Sequence, residues 1–258
     1  MSDAETLLEV RELSKRFGGL AALDQVSITI AQGEIFGLIG PNGAGKTTLF
    51  NVITGVYAPE SGEVRFRGTR VSGLKPHSIA EHGIARTFQN IRLFANMTAL
   101  ENVMVGWHLR TRSGVLGAVV RGARTRAEEA AIERRAHELL DYCGIAAYGN
   151  ELARTLSYGH QRRLEIARAL ATDPRLLALD EPAAGMNATE RSALAGLLTR
   201  IRDDGTTLLL IEHDVKLVMD LCNRVAVLDY GRKIAEGFPA AIQRDPAVIE
   251  AYLGGALA

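Results

Sequence analysis

"GPNGAGKTTLF", residues 40–50, decides how the rest of this sequence is read. Its first eight residues fit G-x-x-x-x-G-K-[ST] in the right setting: the apolar run "IFGLI" precedes them and the helix-like "KTTLFNVIT" follows. A strand that enters a glycine-rich turn and leaves as a helix is suited to hold phosphate. The glycines let the loop of Gly40, Pro41, Asn42, Gly43, Ala44 and Gly45 wrap around phosphate with its backbone N–H groups, which Pro41 alone lacks, pointing inward, and the positive end of the helix adds attraction. Lys46 reaches the outer phosphates, Thr47 holds Mg²⁺, and Thr48 completes the cradle. The alternative is a plain strand–turn–helix without a ligand, which the Lys-Thr pair argues against.

Two further elements belong with this loop. "LLALDEP" (176–182) is a buried-type strand ending in acid. Asp180 suits an outer contact to Mg²⁺, and Glu181 stands one residue further, where it can polarise an attacking water. Alone, such an Asp-Glu is as often a solvated turn. In "LSYGHQRRLEIARAL" (156–170), Ser157 and Gly159 precede an amphipathic helix carrying Leu164, Ala167 and Leu170. A hydroxyl beside free N–H groups at a helix start is a second anion site or an ordinary cap.

The bulk composition narrows the class. The chain has 258 residues, 47% of them hydrophobic, with 30 basic and 30 acidic residues and so no formal net charge. That balance argues against a general nucleic-acid binder. Cys143 and Cys222 are far apart without metal-ligand spacing, which implies no disulfide framework and a reducing compartment. The acidic N-terminus lacks the basic and apolar regions of a secretory signal, and no apolar stretch approaches the length of a membrane span.

Along the chain, "VSITI" (26–30) and "IFGLIG" (35–40) flank a turn, and "EVRFRGTRV" (63–71) alternates around a hairpin turn at Arg67-Gly68. "TRAEEAAIERRAHELLDYCG" (125–144) reads as a helix with Thr125 and Glu128 in capping-box positions and Gly144 as its stop. "RLLALD", "TLLLIE" and "RVAVLD" are strands apolar on both faces, as a sheet covered by helices requires. The expectation is one α/β domain. Residues 1–91 and 156–237 form a mixed-sheet core, about 92–155 an inserted helical subdomain, and 238–258 a short helix starting near Pro246 with a frayed tail. The segment 107–127 holds five arginines, three glycines and no acid. It suits an anionic lipid surface or the acidic rim of a membrane partner, or else a solvated loop.

A phosphate loop, then a signature helix, then Asp-Glu, then a lone His after "TLLLIEH" resembles the ABC-transporter ATPase over nearly the whole chain. The resemblance implies a P-loop NTPase fold of ABC type that hydrolyses ATP with Mg²⁺. It implies that Gln89 in "RTFQN" touches the metal and water and leads to the transport partner, that His213 contacts the γ-phosphate, and that Phe17 in "KRFGGLAAL" stacks on adenine. Glu181, His213 and Lys46 are then the catalytic residues, and Thr47, Gln89 and Asp180 the metal contacts. Two departures stand out. "LSYGH" replaces the usual Leu-Ser-Gly-Gly-Gln, with Tyr158 and His160 in unusual places, and "AAGMN" ends in Asn187 where the family usually has Asp.

"RTFQNIRLF", "MTALENV", "DEPAAGMN", "IEHDVKLVMDLCNRVAVLDYGRKIAEGFP" and "DPAVIEAYLG" are similar to the ATPase of branched-chain amino acid importers, as is the basic insert. Urea importers and lipopolysaccharide exporters share much of this pattern. The resemblance implies a dimer, with itself or with a sister ATPase, because one chain supplies one phosphate loop and one signature. It also implies transmembrane permease partners and a peripheral place on the cytoplasmic face of the cell membrane. A soluble single-domain ABC ATPase in an assembly role is the competing class. Transported substrate rests on the resemblance alone.

Overall fold

The strands differ in how many faces they bury, and the computed structural model, which describes residues 5–107 and 123–254, sorts them into two sheets. β1 (Thr6–Phe17) and β2 (Leu20–Ala31) each bury one face, through Leu8, Val10 and Leu13 and through Val26, Ile28 and Ile30. β3 (Ile35–Ile39) is buried at every position. The turn between β2 and β3 therefore carries the chain from one sheet into the other. β4 (Ser61–Phe66) and β5 (Thr69–Arg70) complete an antiparallel sheet in the order β2-β1-β4-β5. The expected hairpin turn is there, with Arg67 at φ 50° and Gly68 at φ 74°, the pair of positive values that a type I′ turn needs.

The second sheet runs β10-β9-β3-β8-β7-β6. Its members are β3, β6 (Ile84–Arg86), β7 (Leu176–Asp180), β8 (Thr207–Ile211), β9 (Arg224–Asp229) and β10 (Arg232–Gly237). All pair in parallel except β9 with β10. β7 and β8 are buried throughout, which is why their sequences are unbroken apolar runs. Helix α1 (Lys46–Ile53) places Leu49, Phe50 and Ile53 in one hydrophobic core with Leu8, Ile28, Phe36, Leu38, Leu209, Ile211 and Leu228, so both sheets contribute to it.

The chain groups into two compact units, Met1–Arg86 with Arg175–Ala258, and Thr87–Pro174. The first holds both sheets, α1 and α2 (Pro76–Glu81). The second holds α3 (Ala99–Trp107), α4 (Ala123–Tyr142) and α5 (Tyr158–Leu170). It is wider than the 92–155 insert expected from the sequence. The reason is packing: α5 buries Leu164 and Ala167 alongside α3, and Gly106 permits the approach, since a Cβ there would lie 2.3 Å from the Arg168 carbonyl oxygen. Asn102, fully buried, accepts from the Phe94 N–H at 2.9 Å and donates to the Thr98 carbonyl at 2.9 Å, bracing the irregular stretch before α3. α4 ends two residues before Gly144, which sits at φ 70° as its stop. The Thr125 capping box, most of the basic segment 107–127 and the last residues of the tail lie outside the described side chains.

α6 (Ala188–Asp203), α7 (Val215–Leu221), α8 (Pro239–Ile242) and α9 (Pro246–Gly254) complete the first unit. Cys143 and Cys222 are both buried just beyond helix ends, and burial pushes the Cys222 thiol up to about 12. Cys222 packs on Gly37 of β3, where a Cβ would meet Val218 Cγ1 at 2.7 Å and Cys222 Sγ at 2.9 Å. Gly37→Ala should therefore cost about 1–3 kcal/mol by overpacking. The measurement is the urea midpoint, which should fall without a change in slope.

Candidate functional site

Three adjacent parallel strands end on one edge. Leu38 of β3 and Asp180 of β7 both pair with Ile211 of β8, so Gly40, Asp180-Glu181 and Glu212-His213 emerge side by side. The carboxyl edge of a parallel sheet is where ligands of open α/β folds bind.

The phosphate-loop segment leaves β3 in a turn that only glycine allows at two points. Gly40 has φ 150°, and a Cβ would lie 2.1 Å from the Leu228 carbonyl oxygen; Gly45 has φ 101°, and a Cβ would lie 2.5 Å from the Ala22 carbonyl oxygen. Gly45 is the cap of α1, which has neither a side-chain cap nor an acid in its first turn. Its first N–H groups therefore suit an anion. Pro41 and Thr48 are half-buried, Ala44 buried, and Asn42, Gly43 and Thr47 exposed. Lys46 is buried and donates to the carbonyls of Gly40 at 2.7 Å and Pro41 at 2.8 Å. Burial lowers its pKa, and the negative charges of Glu181 and Asp180 push back.

Asp180 is buried at the end of β7. Glu181 follows in a left-handed conformation, φ 48°, with its N–H donating to the Ile211 carbonyl at 2.9 Å. Such backbone strain in a non-glycine residue persists only where the surroundings hold it. His213 Nε2 lies 2.5 Å from Glu181 Oε1. Glu212 ties these two loops together: its carboxylate accepts from the N–H groups of Ala183 at 2.8 Å and His213 at 3.2 Å, and from Asp214. The sequence reading missed Glu212, although an acid directly after an all-apolar strand, like Glu181 after β7, was the available signal. Thr47 and Asp180 offer hard oxygen ligands, and no cluster of three or more His, Cys, Asp or Glu that holds a metal occurs among the described residues.

Phe17 ends β1, partly exposed, with Tyr57 edge-on to its ring at 5.2 Å between centroids. α9 lies outside the phosphate loop across a cavity of about 550 Å³ bounded by Asn42, Gly43, Asp229 and Glu250, and Gly40 makes a backbone hydrogen bond to the Tyr252 hydroxyl. No chemistry was expected of that helix. Asn187 is the cap of α6 in a full capping box with Glu190. Gln89, Ser157 and Gly159 belong to the other unit: Gln89 is exposed, Gly159 is buried, and Ser157 caps α5, its hydroxyl accepting from the His160 N–H at 3.4 Å. His160 packs on Tyr148 at 4.3 Å between ring centroids.

Residues 23–184 match the family model described as ABC transporter, and residues 232–258 match a model described as branched-chain amino acid ATP-binding cassette transporter. The chain is 46% identical to the high-affinity branched-chain amino acid transport ATP-binding protein BraF of Pseudomonas aeruginosa, over 97% of this chain and 98% of that one. It is also similar to a nucleotide-free ATP-binding cassette from an ABC transporter, with TM-score 0.84 and 32% identity, over 96% of this chain and 99% of that one. A dimeric cassette in a post-hydrolysis state bound to ADP and phosphate aligns with TM-score 0.77 and 26% identity, over 90% and 99%.

Burial holds the Glu212 carboxyl above its usual range, against the pull of its backbone N–H donors. A raised pKa means that the folded chain holds the proton longer than the unfolded one, so stability is lost as pH rises between the two values. Measured against Glu212→Gln, the wild type should lose stability as pH rises above the ordinary glutamate range, read as the difference in urea midpoints between acid and neutral pH.

Proposed function

The chain belongs to the ABC transporter family of ATP-binding, ATP-hydrolysing proteins, and on that premise we propose that it is the ATPase subunit of an importer for branched-chain amino acids. The observation that carries the ATPase site is the meeting of the phosphate loop, Asp180 and the Glu181–His213 pair at one sheet edge. The importer reading is supported by the near full-length similarity to BraF and by the match of residues 232–258.

In this reading Lys46, the loop amides and Thr48 hold the β- and γ-phosphates, and Phe17 stacks on adenine. Thr47 would hold Mg²⁺, with Asp180 as an outer contact and Gln89 as the further contact that the family resemblance implies, and the ion would supply charge neutralisation at the phosphates. Glu181 accepts a proton from the attacking water. His213 contacts the γ-phosphate and holds the Glu181 carboxylate in place, while Glu212 keeps the two loops in register. Ser157 and Gly159, at the start of α5, meet the nucleotide held by a second ATPase subunit, a copy of this chain or a sister. Among the described residues no helix is long and apolar enough to cross a membrane. The chain then sits at the cytoplasmic face of the cell membrane through transmembrane permease subunits.

Glu181→Gln should lower ATP turnover by about 10²–10⁴-fold while ATP affinity stays the same. Phosphate release and fluorescent-nucleotide binding separate the two effects, and normal turnover would remove Glu181 from the role of base. Mild detergent extraction should recover the chain with permease subunits. Liposomes carrying that complex should accumulate leucine or valine only with ATP, and recovery of the chain alone in the soluble fraction would defeat the importer reading.

A further inference from the structure

In the Thr87–Pro174 unit, Arg162 and Glu165 stand one turn apart on α5 and are 2% and 1% exposed, an ion pair at 3.1 Å. A buried ion pair stabilises a fold poorly, because desolvation offsets the attraction. This one makes further bonds, four of them to the backbone around Gln89. Arg162 Nη1 donates to the Phe88 carbonyl at 2.6 Å and Nη2 to the Gln89 carbonyl. Glu165 Oε1 accepts from the N–H groups of Phe88 at 3.2 Å and Arg92 at 3.4 Å. The stretch has no regular structure, so two side chains of α5 supply partners for its backbone. The Tyr158 hydroxyl, one residue past Ser157, accepts from Arg162 Nη2 at 3.1 Å.

We infer that Arg162 and Glu165 are positioning residues that lock the loop carrying Gln89 to the signature turn carrying Ser157, with Tyr158 as part of the lock. Resting on the proposed function, the consequence is that engagement of nucleotide at Ser157 and displacement of the permease at Gln89 are one movement. A loop held only by solvent would absorb the motion, whereas a loop bonded to α5 transmits it.

The test is the double variant Arg162→Met/Glu165→Met. Single replacements leave a buried charge alone and risk unfolding, while the apolar pair removes both charges and every bond to the loop. Amide hydrogen exchange in 88–92 should quicken by about tenfold or more, with exchange in the phosphate loop and ATP affinity unchanged. In the complex with permease, the ratio of permease-stimulated to unstimulated ATP hydrolysis should fall by about fivefold or more. Wild-type exchange in 88–92 overturns the lock, and fast exchange with full stimulation overturns its role in coupling. If the double variant does not fold, Glu165→Gln, which keeps one acceptor oxygen without the charge, should give intermediate exchange, and wild-type exchange there overturns the lock equally. A wild-type chain that no permease stimulates sinks the importer reading, and the exchange result still decides the lock.

Discussion

The parallel hydrogen bonding of β3, β8 and β7 is the constraint from which the site follows. Register in a parallel sheet fixes which residues leave the sheet together, and here Leu38 and Asp180 share the partner Ile211. A slip of one residue would turn each strand's side chains to the opposite face. The strands are buried on both faces, so side-chain pattern alone does not forbid such a slip. What holds register is the fit at particular points: Gly37 against Val218 and Cys222, Gly40 against Leu228, and the Glu181 N–H on Ile211. Chemistry at the strand ends is thus placed by packing several residues away from it.

Legibility followed the range of the signal. The phosphate loop, the Arg67-Gly68 turn, the Gly144 stop and the apolar strands β7, β8 and β9 each rest on a few contiguous residues, and each was readable. β1 was not proposed, because "TLLEVRELSKRF" mixes charge into a half-buried strand whose second partner, β4, lies far along the chain. The compact unit Thr87–Pro174 differs from the expected 92–155 insert through contacts that are likewise distant in sequence. α5 looked like a neighbour of "LLALD" in sequence, yet its buried face is shared with α3. Glu212, Arg162 and Glu165 were passed over because an acid after a strand or a charge in a helix usually faces water. Only tertiary contacts distinguish the buried cases.

Those buried charges share one physical logic. An isolated charge in the interior is costly, and each is offset by backbone groups as well as by other charges. Lys46 donates to two carbonyls of its own loop, Glu212 accepts from three N–H groups, and the Arg162–Glu165 pair serves both donors and acceptors of 88–92. In all three places the backbone concerned is irregular, and regular structure would have paired its groups without help. At these three places buried charge serves segments that sheets and helices leave unsatisfied, and the same segments carry or adjoin proposed site residues.

The departures from the family pattern are intelligible on the same terms. Asn187 keeps the start of α6 capped and receives Glu190 in return, so replacing Asp with Asn retains the acceptor and removes a charge. His160 gains the ring of Tyr148, and Tyr158 gains the guanidinium of Arg162. Each substituted residue finds a partner within a few residues of itself or on its own unit. The close contacts of the phosphate loop's main chain are with Ala22, Leu228, Gly231 and Tyr252. The changes therefore retune how the signature turn and the start of α6 are held, and leave the cradle for phosphate to glycine geometry and strand register.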